Sequence, residues 1–233
     1  MQWDSTIIND DSYGQAISNL DEKEKLAELV ATKVKHGEII GVGSGSTSYL
    51  AVLAIARRVK DEGLLIKAIP SSIEISLVCI KMGLPLTNLY EYRPDWYFDG
   101  ADEVDPNLDM IKGRGGAMFR EKLLMRASPV NYILADQTKL VDCLGTNFAV
   151  PVEVFPSALP VVEAGLKAIG AHEILLRPAI NKDGPVITES GNLILDVRFK
   201  TIDRELEKNI KSITGVIESG LFQNHRAELL VAR

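Results

Sequence analysis

The sequence has few cysteines and histidines and no long apolar run. Its 233 residues include 2 cysteines and 3 histidines, and Cys79 and Cys143 form no CxxC pair. So few cysteines exclude a secreted disulfide framework and favour reduced thiols in a cytoplasmic protein. The histidines at positions 36, 172 and 225 lack the spacing of metal ligands, which argues against a zinc site. No window of about 18 residues is uniformly apolar, which argues against a membrane partner.

The sequence also lacks an excess of positive charge. Its formal net charge is -6, whereas proteins that bind nucleic acids usually carry clustered Lys and Arg. Apolar residues make up 46% and charged residues 25% of the chain, as in ordinary globular proteins, so disorder is not indicated. The composition predicts a folded protein without a nucleic-acid partner, and it leaves a single small phosphate compatible with the chain.

Patterns of apolar residues predict alternating helices and strands over the first 136 residues. In chain order these are a helix from Asp21, a strand and helix at 38–59, a strand and helix at 64–82, a strand at 95–100, a helix at about 117–126, and a strand that ends near Asp136. Strands that end in polar or Gly-rich loops and are joined by helices predict an α/β fold with a mostly parallel sheet. We therefore expect the loops at Gly43, Asp99 and Asp136 to meet at the carboxyl edge of that sheet.

The order of elements changes after the proline-containing segment at 150–160. A helix at 161–170, a strand at 173–179, two strands around a turn at Ser190 and Gly191, and a helix at 202–211 predict a small antiparallel α+β domain. The segments GVIESGLF (215–222) and ELLVAR (228–233) are both expected to be strands that return to the first sheet.

A glycine-rich turn, GVGSGST at 41–47, lies between the first predicted strand and the helix that follows it. Such a turn offers free backbone N–H groups and the positive end of a helix dipole to an anion, and Ser44, Ser46 and Thr47 add hydroxyl donors. The turn lacks the GK[ST] ending of a P-loop, and no acidic residue follows the next strand, so neither a nucleoside triphosphate nor NAD is favoured. The turn favours a phosphate monoester; the alternative is a tight turn that only allows strand and helix to pack.

Five carboxylates crowd the segment FDGADEVDPNLD at the end of the third predicted strand. Their spacing does not fit an EF-hand, and the alternative to a metal site is a loop of solvated carboxylates with an Asp helix cap. The neighbouring segment IKGRGGA brings Lys112 and a second glycine turn, and carboxylates beside an ammonium group allow proton transfer with stabilisation of an oxyanion.

Two further charged positions are candidates for catalysis or binding. Glu121 lies early in a predicted helix, where the dipole favours its anion, although a charged triplet such as Arg120, Glu121 and Lys122 is commonly a solvated face. Lys139 follows the fourth strand and could reach an anion at the sheet edge; the alternative is an ordinary surface lysine.

Several separate segments, taken in their order along the chain, resemble the ribose-5-phosphate isomerase A family. They are GVGSGST, DGADEVD, IKGRGGAMFREK, the stretch from Asp136 to Gly145, VPVEV, and SGLF, and the resemblance runs from about Lys23 to the end of the chain. It implies a Rossmann-like catalytic domain (1–148 and 219–233) with a smaller, ferredoxin-like α+β lid domain (149–218). It further implies no metal or other cofactor, and a homodimer or else a homotetramer. The implied reaction, which belongs to the pentose phosphate pathway, interconverts D-ribose 5-phosphate and D-ribulose 5-phosphate through a cis-enediolate.

The resemblance also assigns roles to residues. Substrate binding falls to Lys23, Ser44, Gly45, Ser46, Thr47, Asp99, Gly100, Ala101, Asp102, Lys112, Gly113, Arg114, Gly115 and Lys139. The implied catalytic residues are Glu121, which carries the proton between C2 and C1, Asp99 and Asp102, which handle the sugar hydroxyls, and Lys112, which stabilises the enediolate oxygen. Asp99 is the implied acid–base group for opening the furanose ring.

Three positions depart from the family pattern. Ser44 stands where the family often has Thr, which keeps the hydroxyl, and Lys25 competes with Lys23 for the phosphate role. Arg114 interrupts a run that is usually made of small residues, and we expect its side chain to point outward.

Two other classes of protein share related architectures. A non-catalytic sugar-phosphate sensor should carry a DNA-binding module before this domain, and the acidic N-terminal residues show no helix-turn-helix. A CoA-transferase or an aminosugar-phosphate deaminase would use a different residue set, and the DGADE and KGxGG pair fits neither. Fold alone does not separate these classes.

Overall fold

The computed structural model describes residues 17–232, and helices alternate with strands along most of this range. The helices are α1 (Leu20–Ala31), α2 (Gly45–Glu62), α3 (Ile73–Lys81), α4 (Met118–Ala127), α5 (Leu159–Ala168) and α6 (Leu206–Lys211). The strands are β1 (Ile39–Val42), β2 (Lys67–Pro70), β3 (Trp96–Gly100), β4 (Glu103–Val104), β5 (Met110–Ile111), β6 (Asn131–Ala135), β7 (Val150–Val154), β8 (Ala171–Leu176), β9 (Leu193–Phe199), β10 (Val216–Ser219), β11 (Leu221–Phe222) and β12 (Glu228–Val231). Short 3-10 turns occur at Gln137–Lys139 and Pro156–Ala158.

These elements form two compact units that interleave along the chain. The first unit contains the residues up to Gly100, Leu124–Gln137 and the residues from Ala227, and the second contains Ala101–Leu123 and Thr138–Arg226. These units group the chain differently from the predicted catalytic and lid domains, whose boundaries stay a prediction. The chain crosses from one unit to the other at four places, so neither unit is a continuous segment.

The first unit is built on a five-stranded parallel sheet in the order β12-β6-β3-β1-β2. This confirms the predicted α/β fold with a parallel sheet. Strands β6, β3 and β1 are neighbours, so Asp136 after β6, Asp99 at the end region of β3 and Gly43 after β1 lie at the same carboxyl edge, as predicted. In parallel α/β sheets this edge is where ligands bind.

Apolar side chains from α1 and α2 cover this sheet. Leu26, Val30 and Ile55 are buried together with Ile40 and Phe98 of the central strands, and each such side chain contributes roughly 1.5–3 kcal/mol by leaving water. The short runs of β-branched and aromatic residues therefore form strands because both of their faces are covered.

The ends of helix α3 follow from its flanking residues. Ser72 caps the helix by accepting a hydrogen bond from the backbone N–H of Ile75 at 3.2 Å. The helix ends at Lys81 with Met82 as its C-cap, and the predicted glycine, Gly83, follows with a φ of 75° in the left-handed region that glycine adopts without strain.

The second unit contains two antiparallel sheets, in the orders β10-β7-β9-β8 and β11-β5-β4. Every residue of β7 is buried, and Val152 and Val154 pack with Val162 of α5 and Ile210 of α6. The antiparallel α+β character predicted for this part of the chain is therefore confirmed.

Two details of the strand prediction were wrong. The segment 215–222 does not return to the first sheet, because β10 pairs with β7 and β11 pairs with β5. The parallel sheet and the antiparallel sheets all present apolar neighbours to a short apolar strand, so the pattern of apolar residues could not predict which sheet the segment joins. Around Ser190 and Gly191 only β9 is a full strand, since its partner there is reduced to a single bridge from Ile187 to Leu193. The prediction for 228–233 was right for β12, which pairs with β6.

Among residues 17–232, none of the helices combines the length and the apolar character that crossing a bilayer requires.

Candidate active site

The Gly-Ser turn, residues 43–47, leads from β1 into α2 in the first unit. Ser44 is the N-terminal cap residue of α2 but its side chain does not cap the helix within the described residues. Its hydroxyl instead lies 2.6 Å from the hydroxyl of Ser71 and 2.8 Å from that of Ser72. The first turn of this 18-residue helix contains no acidic residue, so its amides and dipole present a positive field to an anion.

A buried lysine reaches this turn from α1. Lys23 is 5% exposed, and its ammonium nitrogen lies 3.1 Å from the Ser46 hydroxyl and 3.4 Å from the Ser18 hydroxyl. Lys25, the competing candidate, is exposed. The structure therefore places Lys23 at the Gly-Ser turn, where a buried ammonium next to serine hydroxyls suits a phosphate.

Asp99 is the penultimate residue of β3, lies beside the same turn and is completely buried. One carboxylate oxygen accepts a hydrogen bond from the Tyr97 hydroxyl, and the other accepts from the Gly100 amide at 2.8 Å and the Ser48 hydroxyl at 3.3 Å. A Cβ atom at Gly43 would collide with the Asp99 carboxyl group. Glycine at position 43 is therefore required for the turn to approach Asp99.

In the second unit, Lys112 and Glu121 form a buried ion pair. The Lys112 ammonium nitrogen lies 3.2 Å from a carboxylate oxygen of Glu121, and the two side chains are 4% and 7% exposed. Lys112 directly follows β5, and its backbone N–H donates to the carbonyl of Gly220 at 2.9 Å. Glu121 lies in the first turn of α4. The charged triplet at 120–122 is thus not a solvated face, because Glu121 and Lys122 are buried.

The glycine turn, residues 113–116, follows Lys112 directly. Gly113 has a φ of 106°, which a residue with a side chain rarely adopts, and its carbonyl accepts from the Gly116 amide at 3.0 Å. Arg114 is exposed, and its guanidinium carbon lies 4.8 Å from the centre of the Phe148 ring. The turn therefore tolerates arginine within a run of small residues.

Asp102 is linked to this turn, since one of its carboxylate oxygens accepts the Arg114 backbone N–H at 3.2 Å. Burial raises the pKa of Asp102, and the positive charges of Lys112, Arg114 and Lys139 oppose this rise without cancelling it. Lys139 lies on the same aromatic side chain as Arg114, with its nitrogen 5.9 Å from the Phe148 ring centre. A carboxyl group with a raised pKa can donate as well as accept a proton.

The other carboxylates of the acidic segment accept hydrogen bonds from backbone amides. Glu103 accepts from the amides of Gly145 and Phe148 at 2.7 and 2.8 Å, Asp105 accepts from Asn107 at 2.8 Å, and Asp109 accepts from Asn224 at 2.9 Å. Within residues 17–232 no group of three His, Cys, Asp or Glu side chains could hold a metal ion. These carboxylates therefore fold the segment.

Lys122 is a buried residue that the sequence analysis did not single out beyond the charged triplet. Its ammonium nitrogen lies 2.7 Å from Glu207, 3.0 Å from Glu218, and 2.9 and 2.6 Å from the carbonyls of Ser219 and Leu221. Burial by itself raises the pKa of Glu207, but the neighbouring His225 imidazole and the Lys122 ammonium outweigh it and hold the pKa at about 2. These partners follow Lys122 by 85 to 99 residues, so no local sequence signal could have identified them.

The first unit thus offers an anion site at the edge of a parallel sheet, and the second offers a buried carboxylate–ammonium pair beside an acidic side chain. Each feature suits one class of protein, an α/β enzyme that acts on a phosphorylated small molecule by proton transfer.

Comparison with known proteins identifies the family within this class. The family model for ribose 5-phosphate isomerase A (phosphoriboisomerase A) matches residues 67–233. The ribose-5-phosphate isomerase A of Synechococcus sp. is 44% identical over 204 residues, which cover 86% of this chain and 88% of the relative. The chain belongs to the ribose-5-phosphate isomerase A family.

Solved structures agree with this assignment. The ribose 5-phosphate isomerase A of Methanocaldococcus jannaschii superposes with a TM-score of 0.89 at 42% identity, covering 93% of this chain and 96% of that one. A D-ribose-5-phosphate isomerase in complex with phospho-erythronic acid gives the same TM-score and coverage at 34% identity. The fold expected from the sequence is therefore confirmed over nearly the whole chain.

Proposed function

We propose that this protein interconverts D-ribose 5-phosphate and D-ribulose 5-phosphate by proton transfer through a cis-enediolate. The observation that carries the proposal is the buried pair of Lys112 and Glu121, 3.2 Å apart, in a member of the ribose-5-phosphate isomerase A family. One member of that family binds phospho-erythronic acid, which is a phosphorylated sugar acid.

Glu121 acts as the base in this proposal. Its carboxylate removes the proton from C2 of the open-chain aldose and returns it to C1, so a single group serves both steps. Negative charge develops on the sugar oxygens as the proton leaves, and the Lys112 ammonium beside Glu121 stabilises it. Burial of both side chains strengthens this effect, because water screens their charges less.

The Gly-Ser turn holds the phosphate in this proposal. Its hydrogen-bond donors are the N-terminal amides of α2, the hydroxyls of Ser46 and Thr47, and the buried ammonium group of Lys23. Such donors suit a phosphate group. Lys139, which carries the same sign of charge, adds a further phosphate contact. The phosphate then supplies binding energy that orients the reacting carbons.

Asp99 and Asp102 handle the sugar hydroxyls. The raised pKa of Asp102 suits a group that shares a proton with a hydroxyl. Asp99 has a defined orientation because both of its oxygens accept hydrogen bonds; its role in opening the furanose ring stays a prediction.

A homodimer in the cytoplasm completes the proposal. The dimer is supported by the family resemblance, and the cytoplasmic location by the two cysteines, Cys79 and Cys143, which are both free thiols. Light scattering on the purified protein measures the oligomer directly.

A coupled assay for ribulose 5-phosphate, run in D2O, tests the proposed reaction. We expect turnover of ribose 5-phosphate and solvent deuterium at C1 of the product, because a proton held on a carboxylate exchanges with water. Ribose without the phosphate should turn over at least a hundredfold less efficiently, since the Gly-Ser turn then has no ligand. Binding of ribose 5-phosphate without turnover would indicate a sensor instead. Deuterium at C1 would exclude a hydride shift, because a hydride shift moves the hydrogen from C2 to C1 without exchange with the solvent.

A further inference from the structure

Arg177 contacts the glycine turn from a distant part of the chain. It directly follows β8, and one of its guanidinium nitrogens donates to the carbonyls of Gly113 and Arg114, at 2.9 and 3.0 Å. The contact spans 64 residues of sequence, and nothing in the local sequence around Arg177 marks it as part of a site.

Arg177 is itself held in a fixed geometry. Its other two guanidinium nitrogens donate to the two carboxylate oxygens of Asp196 at 2.8 and 2.5 Å, in the two-pronged pairing that arginine makes with carboxylates. Strand β8, which precedes Arg177, pairs with β9, which contains Asp196, and Leu175 lies opposite Asp196 in this pairing. The side chains of Arg177 and Asp196 are only 14% and 23% exposed. The guanidinium is therefore a rigid fork rather than a mobile surface group.

The two carbonyls that Arg177 binds belong to consecutive peptide groups of the glycine turn, and the first of these groups has a partner for its N–H. The peptide group from Gly113 to Arg114 donates its N–H to Asp102 at 3.2 Å, and the group from Arg114 continues into the N–H of Gly115. A peptide group is planar, so fixing its oxygen also fixes the direction of its N–H. A positive charge at the oxygen polarises the group and makes the N–H a stronger donor.

We propose that Arg177 is a positioning residue for the isomerase reaction. It orients the amides of the glycine turn, and through them Asp102, without touching the substrate. This inference rests on the proposed function, because it assigns a role in the site that Lys112 and Glu121 define.

The test compares Arg177→Ala with Asp196→Asn and with a matched control, Arg198→Ala. Arg198 lies on β9 and also joins a carbonyl to a carboxylate, with contacts of 3.3 Å to Gly145 and 3.8 Å to Glu173. For Arg177→Ala we expect kcat to fall about tenfold to a hundredfold with KM changed less than threefold, as for a small displacement of groups that act in the transition state. Arg198→Ala should stay within twofold of the parent in both parameters.

Three further measurements separate positioning from simple structural support. Arg177→Lys should not restore kcat, because the compact ammonium of lysine cannot reproduce the planar fork with which the guanidinium pairs with Asp196 and holds the two carbonyls. Added guanidinium at millimolar concentration should partly restore kcat of Arg177→Ala without changing that of the parent. The double variant Arg177→Ala with Asp196→Asn should show no larger loss of kcat than Arg177→Ala alone, because Asp196 acts only through the arginine.

The outcomes distinguish this inference from the proposed function. An inactive parent would refute the proposed function. If the parent is active and the kcat of Arg177→Ala stays within twofold of the parent kcat, only the positioning role is refuted. A loss in kcat that guanidinium does not relieve and that accompanies a lowered melting temperature would reduce Arg177 to a structural residue. Should Arg177→Ala fail to fold, Asp196→Asn, which preserves side-chain shape, carries the test: an unchanged kcat overturns the inference, and a tenfold loss supports it.

Discussion

The first unit surrounds its candidate phosphate site with hydroxyls, backbone amides and one buried lysine that contacts hydroxyl groups, whereas the second unit pairs buried ammonium groups with buried carboxylates. In the first unit, Ser44, Ser46 and the amides of α2 lie within a few residues of each other in sequence. In the second, Lys122 joins Glu207 and Glu218 across 85 and 96 residues. The first arrangement suits reversible binding of an anion, and the second fixes the position of groups that must react.

The energies of the two arrangements differ accordingly. A lost hydroxyl hydrogen bond weakens folding or binding by about 1 kcal/mol, whereas removing one member of a buried ion pair leaves an uncompensated charge and destabilises by about 3–5 kcal/mol. Substitutions in the second unit should therefore have the larger effects on turnover and stability, and substitutions of binding groups should act mainly on KM.

The largest effect is expected for Glu121→Gln. An amide cannot accept the proton from C2, so kcat should fall on the order of a thousandfold or more while the protein stays folded. The measurement is kcat in the coupled assay, with circular dichroism to establish folding. Glu189→Gln is the matched control, because Glu189 pairs with Arg120 of the same helix at 2.5 Å and should leave kcat within twofold. A Glu121→Gln enzyme that keeps more than a tenth of the parent kcat would remove Glu121 from the mechanism.

Lys122→Met should have the largest effect on stability. Glu207 and Glu218 would stay buried without their shared cation, so the free energy of unfolding in urea should fall by about 3–5 kcal/mol. Lys208→Met provides the comparison, because Lys208 is 82% exposed and pairs with Glu205 at 3.2 Å, and such a pair contributes under about 1 kcal/mol. Equal losses in the two variants would contradict the contrast between buried and exposed charge.

The pH dependence of the free energy of unfolding tests the same Lys122 cluster through Glu207. Its pKa in the folded protein is about 2, below the value of about 4.3 for an unfolded glutamate. The ionised group therefore stabilises the protein fully above pH 4.3, and this contribution is lost as the pH falls towards 2. Between pH 5 and pH 3, the free energy of unfolding of Glu207→Gln should decline about 1–2 kcal/mol less than that of the parent.

A control variant accompanies the acid measurement. The Glu205 side chain is 67% exposed, so Glu205→Gln should leave the pH dependence of the parent unchanged. A parent and a Glu207→Gln protein with parallel pH profiles would show that Glu207 has an ordinary pKa.

The smallest of these effects is expected for Lys139→Ala. A phosphate contact supplies binding to ground state and transition state alike, so KM for ribose 5-phosphate should rise roughly tenfold with kcat changed less than threefold. Lys208→Ala removes an exposed lysine elsewhere and should change neither parameter. An unchanged KM in Lys139→Ala would exclude a phosphate contact, and a fall in kcat alone would place Lys139 among the reacting groups.

The sequence was most informative where a site is formed by consecutive residues. The Gly-Ser turn could be predicted because strand end, glycine and hydroxyl residues all lie within 41–47, and the structure places the end of β1 and the start of α2 there. The segment around Lys112 was also recognisable, although its burial against Glu121 was not, because a charged triplet on a helix gives no sign of which face is covered.

Contacts across long stretches of sequence could not be predicted. Strand β11 was assigned to the wrong sheet, because two apolar residues fit either of two partners and only the pairing with β5 decides. Arg177 and Lys122 depend on partners 64 to 99 residues away, and each is an ordinary basic residue in its own segment. Local pattern identifies what a segment can do, and tertiary packing decides which neighbours it acts on.

The position of β12 has a consequence for the synthesis of the protein. This strand contains residues 228–231 and is the edge strand beside β6, so the parallel sheet of the first unit cannot be completed until residue 231 has left the ribosome. Domains usually begin to fold from their N-terminal side during translation. Here the nascent chain must keep the open edge of β6 from pairing with other chains while more than ninety further residues are added. A chain truncated near residue 226 would lack β12 and leave this edge of β6 exposed.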